Sequence, residues 1–106
     1  MAREPFAGHL DLLLLAALHA EPRHGYAVIE HVRRTSGGRF DYPEGTVYPA
    51  LHRLEADGLL RSRWSEVEGR RRRVYELTAS GEKALDGRRR EWERFSQSVS
   101  AVLGAA

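Results

Sequence analysis

A chain of 106 residues, 42% of them hydrophobic, has room for one modest core, which excludes separate catalytic and substrate domains. The formal charge is only +2, but the basic residues are almost all arginine, so their distribution matters more than their sum: arginine offers phosphate a bidentate fork where lysine offers a point charge. With no cysteine there is no disulfide, thiol sensor or cysteine metal site, and an intracellular protein is expected.

At the N-terminus, Met1-Ala2-Arg3 followed by Leu12 to Leu18 and His19-Ala20 has the outline of a secretory leader. Glu4 cancels Arg3, Asp11 interrupts the apolar stretch, and cleavage after Ala20 would remove a helix that a small core depends on. No run approaches the ~20 apolar residues of a membrane span, so a cytoplasmic location is expected.

From about His9 to Ala20 the chain is nearly all leucine and alanine, too apolar for the one-sided stripe of a surface helix, and the second cover it requires is most simply a partner subunit. Pro22 and His24-Gly25 separate it from a second helix, about Tyr26 to Thr35, with Tyr26, Ile29 and Val32 or Val28 inward and Ser36-Gly37-Gly38 closing it. A third helix is predicted from near Thr46, with Thr46 as cap and Pro49 in the first turn, where proline is tolerated. Val47, Ala50, Leu51 and Leu54 share its inner face, and Asp57-Gly58 stops it.

Two strands follow, 59–67 and 71–77, joined by a Glu68-Gly69 turn, with Tyr75 and Leu77 alternating against Arg72, Val74 and Glu76. Thr78 is placed to cap a last helix reaching about Leu103, although Gly81 stands where a capping box would have glutamate. Along that helix Leu85, Trp92 and Val99 are seven apart, Phe95 and Val102 fill the intermediate seam, and Arg88 breaks it. The fold class is mainly α with a β-hairpin: a winged helix-turn-helix over 1–78 and a long C-terminal dimerisation helix over 79–106, in one compact unit.

This order places a free helix face beside an arginine-tipped hairpin, the arrangement that reads double-stranded DNA. On the third helix Arg53 is expected to donate to guanine, Thr46 and Tyr48 to meet phosphate, His52 to do either, and Pro49 to share that face. Of the wing arginines Arg70, Arg71, Arg72 and Arg73, two or three are expected on phosphate and the others on Glu66, Glu68 or Glu76. Trp92 and Phe95 are expected to pack, with Leu12 and Leu15 of the first helix, in a dimer interface, and a homodimer would present two reading helices to the halves of a palindromic operator ~34 Å apart. The five histidines lack chelate spacing, and neither G-x-S-x-G nor a P-loop occurs, so neither a metal, a cofactor nor an enzymatic activity is expected. A different reading keeps the winged helix as a protein-interaction module, its arginines meeting an acidic surface.

The stretches Gly8-His9-Leu10, His24-Gly25-Tyr26, Gly45-Thr46 through Glu55, Gly58-Leu59-Leu60, Trp64, Arg71 to Tyr75, Leu77-Thr78, Gly81 and Trp92 closely resemble the pattern of the PadR family of bacterial transcriptional regulators. The resemblance covers nearly the whole chain and is closest to the branch with a single C-terminal helix. It implies a dimer built by the terminal and first helices, the third helix in the major groove and the wing on adjacent DNA. It also implies a repressor released by small aromatic or amphipathic compounds, with Trp92 lining the space that takes them. Val47 stands where leucine or isoleucine is common in that family.

Overall fold

The structure, a computed structural model, describes residues 9–104. Its elements in chain order are α1 (His9–Ala20), β1 (Arg23–His24), α2 (Gly25–Thr35), α3 (Glu44–Ala56), β2 (Leu60–Val67), β3 (Arg70–Leu77) and α4 (Ala79–Leu103). Residues 1–8, where the leader-like stretch begins and the first residue of the family resemblance falls, lie outside the described residues. Among those described, no helix is long and apolar enough to cross a membrane.

The core forms where three helices meet one face of the sheet. Leu14, Leu15, Ala17 and Leu18 of α1, Val28, Ile29 and Val32 of α2, and Val47, Ala50, Leu51 and Leu54 of α3 close over Leu60 and Tyr75, with Leu85 of α4 completing the cluster. In α2 the inward set is Val28, Ile29 and Val32; Tyr26, expected inside, is 55% exposed. The cause is its place in the first turn, beside the hairpin rather than under α1.

α3 starts before the expected Thr46. Pro43 takes the cap position without a side-chain bond, and its carbonyl accepts from the amides of Thr46 (3.0 Å) and Val47 (3.1 Å). Thr46 is therefore inside the helix, and Pro49 lies beyond its first turn. Proline there removes the bond to the Gly45 carbonyl, a loss tolerated because both residues are on the exposed side, where water can serve it.

The sheet has the order β1-β3-β2, antiparallel throughout. Val67 faces Arg70 across the two-residue turn, and both turn residues have positive φ (Glu68 54°, Gly69 77°), the backbone of the hairpin turn whose twist matches the strands it joins. β1, which no sequence pattern predicts, pairs Arg23 with Tyr75 and His24 with Val74. Two residues are too few to show alternation, and Pro22 beside them reads only as a helix breaker.

Thr78 caps α4, its hydroxyl accepting from the Gly81 amide (3.0 Å) and donating to the Gly58 carbonyl (2.6 Å). Gly81 in place of a glutamate has a steric reason: a β-carbon there would run into the Leu59 carbonyl. Beyond Leu85 the helix runs past the start of α1, with Trp92 beside His9, and Trp92, Phe95, Val99, Val102 and Leu103 are between 38% and 87% exposed.

Candidate nucleic-acid interface

α3 buries Val47, Ala50, Leu51 and Leu54, which turns Thr46, Pro49, His52 and Arg53 outward, as helical spacing requires. Tyr48 is different. Its ring rests against Gly25 at the start of α2, where any side chain would overlap it, and it is partly buried. Burial, reinforced by the Glu44 carboxylate, raises its phenol above the ordinary 10.0, so the hydroxyl stays protonated and can donate.

Between this helix and the hairpin lies a concavity of 660 Å³ lined by His24, Gly25, Tyr26, Tyr48 and the four wing arginines Arg70, Arg71, Arg72 and Arg73. No carboxylate is among its described lining residues. Strand alternation divides the arginines into two pairs. Arg71 and Arg73 flank the half-exposed indole of Trp64, their guanidinium carbons 4.6 and 5.3 Å from its ring centroid, within cation–π range. Arg73 also donates to Ser62 Oγ (2.8 Å), which donates to Glu55 of α3 (2.7 Å), so the hairpin is tied to the helix beside it.

On the other side Arg72 Nη1 donates to His24 Nε2 (2.7 Å), while the Ala27 amide approaches His24 Nδ1 (3.3 Å). A neutral imidazole has one unprotonated nitrogen, so these donors alternate, and a protonated ring serves neither. Burial and the Arg72 charge lower the His24 pKa from 6.5, favouring the neutral form. None of the four wing arginines forms an ion pair with a glutamate among the described residues; Glu76, expected to take one, holds Arg61 instead (2.8 Å). The pairing follows register, since Arg61 and Glu76 are directly opposed across the strands.

Arg53 is not extended for base reading as its place on the outer face suggests. It grips Asp11 of α1 with both terminal nitrogens, at 2.8 and 3.0 Å, and these bonds hold its pKa above the ordinary value. Asp11 is the one buried charged residue among those described, 9% exposed, and Arg88 of α4 stands 3.9 Å from its second oxygen. In the sequence Asp11 stands out only as an interruption of the apolar stretch, although a lone carboxylate in an otherwise apolar helix is itself a sign of a buried partner.

Trp92 and Phe95 do come together with Leu12. With His9, Arg88 and Glu91 they line a 330 Å³ cavity between α1 and α4, the His9 ring edge-on to Trp92 at 5.2 Å. Leu15, expected to pack with them, is 0% exposed in the core. One turn on from Leu12, it is rotated ~60° around the helix and points away from the cavity.

Known proteins agree with this architecture. The transcriptional regulator PadR-like family matches residues 14–87. The chain is 46% identical over 77 residues to the transcriptional regulator Rv3488 of Mycobacterium tuberculosis, covering 73% of this chain and 59% of that protein. It is 31% identical over 107 residues to the transcriptional regulator YqjI of Escherichia coli, covering 98% of this chain but 50% of that protein, so it spans less than two thirds of either relative. Among solved structures, a transcriptional regulator from Clostridium thermocellum superposes with a TM-score of 0.84 at 28% identity, covering 91% of this chain and 94% of the other. A PadR family transcription regulator from Clostridium difficile gives 0.77 at 34% identity, covering 91% and 98%. With its matched segment well over half of the chain and its winged helix and long last helix in the same arrangement, this protein belongs to the PadR-like family of transcriptional regulators, which are not enzymes.

Proposed function

We propose that this regulator is a cytoplasmic homodimer that binds a palindromic site in double-stranded DNA and represses transcription until a small aromatic or amphipathic ligand releases it. The part through Thr78 is the DNA-binding unit and α4 the dimerisation unit. Thr46, Pro49 and His52 enter the major groove, Tyr48 and the wing arginines take phosphates, and Arg53 joins them only after leaving Asp11.

The observation that carries this reading is the concavity joining α3 to the hairpin, with four arginines and, among its described lining residues, no carboxylate. Each phosphate neutralised there releases condensed counterions, which supplies affinity; the outer face of α3 supplies discrimination. The apolar residues left exposed along α4 support a second copy as their cover. The cavity beside Trp92 supports a ligand with a flat apolar body, acting by shifting the spacing of the two reading helices.

Fluorescence anisotropy with the duplex upstream of the protein's own gene and a scrambled duplex, across a salt series, tests the reading. A preference of ~10³ or more surviving physiological salt supports it. Absence of binding to any duplex, with retention of a folded dimer, would favour a protein-interaction module instead.

A further inference from the structure

A buried carboxylate needs a cation beside it, because leaving it alone in the core carries a large desolvation penalty. Asp11 has two guanidiniums within reach. Arg53 occupies both of its oxygens at 2.8 and 3.0 Å, while Arg88 waits at 3.9 Å. The two arginines differ in where else they could go. Arg53 lies on the outer face of α3, one turn beyond Pro49 and two beyond Thr46, with its side chain 51% exposed. Arg88 lies on α4 beside the Trp92 cavity, away from the hairpin concavity.

We infer that Asp11 exchanges counter-ions when DNA binds: Arg53 leaves it for the nucleic acid, and Arg88 closes onto it in Arg53's place. Arg88 is then a positioning residue for DNA recognition without itself touching DNA. A shift of about one ångström brings it into direct hydrogen-bond range of Asp11. Without it, release of Arg53 would strand a buried negative charge, and Arg53 would stay on α1. This rests on the proposed DNA binding of α3. It also gives the last helix an influence on base or phosphate contact that needs no rigid-body movement, since whatever holds Arg88 at the cavity keeps Arg53 on Asp11.

The test is a double-mutant cycle read by anisotropy on the duplex that wild type prefers, using the full chain. Arg88→Ala is expected to weaken binding roughly tenfold, about the effect of losing one good arginine contact, with Arg88→Lys restoring most of it. Arg53→Ala should weaken binding to a similar degree, and adding Arg88→Ala to Arg53→Ala should change nothing further, because Arg88 acts only through Arg53. Asp11→Asn, which removes the charge that restrains Arg53, should bind at least as tightly as wild type and be insensitive to Arg88→Ala. The Arg53/Arg88 cycle decides the matter even if Asp11→Asn proves unstable. Additive losses from Arg53→Ala and Arg88→Ala would overturn the exchange, as would a silent Arg88→Ala in a wild type that binds specifically. A wild type that binds no duplex would overturn the proposed function first and the exchange with it.

Discussion

The ring of Tyr48 lies against the α-carbon of Gly25, joining α3 to the start of α2 through a contact that only glycine permits. Gly25→Ala should push the ring out of place. Because Tyr48 is partly exposed and can swing away, the stability loss should sit near the low end of overpacking effects, about 1 kcal/mol, while DNA affinity falls several-fold. Chemical denaturation and anisotropy on the same variant separate the two. Adding Tyr48→Ala should recover the stability but not the affinity.

Two glycines of α4 should respond in opposite directions to the same change. At Gly81 the obstacle is the Leu59 carbonyl, part of a backbone that cannot rotate aside, so Gly81→Ala should destabilise by about 3 kcal/mol. At Gly87 nothing lies within 4 Å of the added carbon, so Gly87→Ala should stabilise the helix by about 0.5–1 kcal/mol. Thermal melts of both variants decide it; equal effects would mean that the Leu59–Gly81 approach is not a close one.

Stability should fall on acidification below pH 6.5. Burial together with Arg72 lowers the pKa of His24, and burial with Arg23 and Arg34 lowers that of His31, each from 6.5. The unfolded chain therefore binds protons that the folded one refuses; the contribution of both rings is complete above pH 6.5 and is lost as pH falls through their depressed folded values. His24→Gln and His31→Gln should each flatten part of the slope in denaturation curves taken from pH 7.5 to 5. A slope unchanged in both would assign it to other groups.

The wing arginines should separate in a salt titration. If each contacts one phosphate, replacing Arg70 or Arg72 with alanine lowers the slope of log K against log salt by about 0.9. Trp64→Ala leaves the charge count intact, so its slope should stay near wild type while affinity drops by the modest amount expected when Arg71 and Arg73 lose their aromatic support, about 0.5–1 kcal/mol each. A slope change on Trp64→Ala would show that the indole governs how many arginines reach DNA.

Local patterns made most of the fold legible. The apolar density of α1, the inward set Val47, Ala50, Leu51 and Leu54, the Glu68-Gly69 turn and the Thr78 cap all act within a few residues, and each stands where spacing puts it. What escaped depends on partners far along the chain. Arg53 and Asp11 are 42 positions apart, and His24 and Arg72 are 48 apart, so neither pair leaves a periodic trace. β1 exists only because β3 offers it an edge at Tyr75 and Val74. Leu15 was misplaced for a subtler reason: a helix nearly apolar all round does not announce which leucines face its own core and which face outward.

Glu68 holds a left-handed backbone, φ 54°, at the tip of the hairpin, and its carboxylate is the negative charge nearest in sequence to the four arginines. The left-handed turn is one that asparagine or glycine would hold at lower cost, and on the proposed function the Glu68 carboxylate would repel the phosphates that the tip approaches. If the hairpin takes phosphates as proposed, that charge shortens the lifetime of the complex. Glu68→Asn should then slow dissociation from every duplex alike, because Glu68 belongs to the hairpin turn and not to α3.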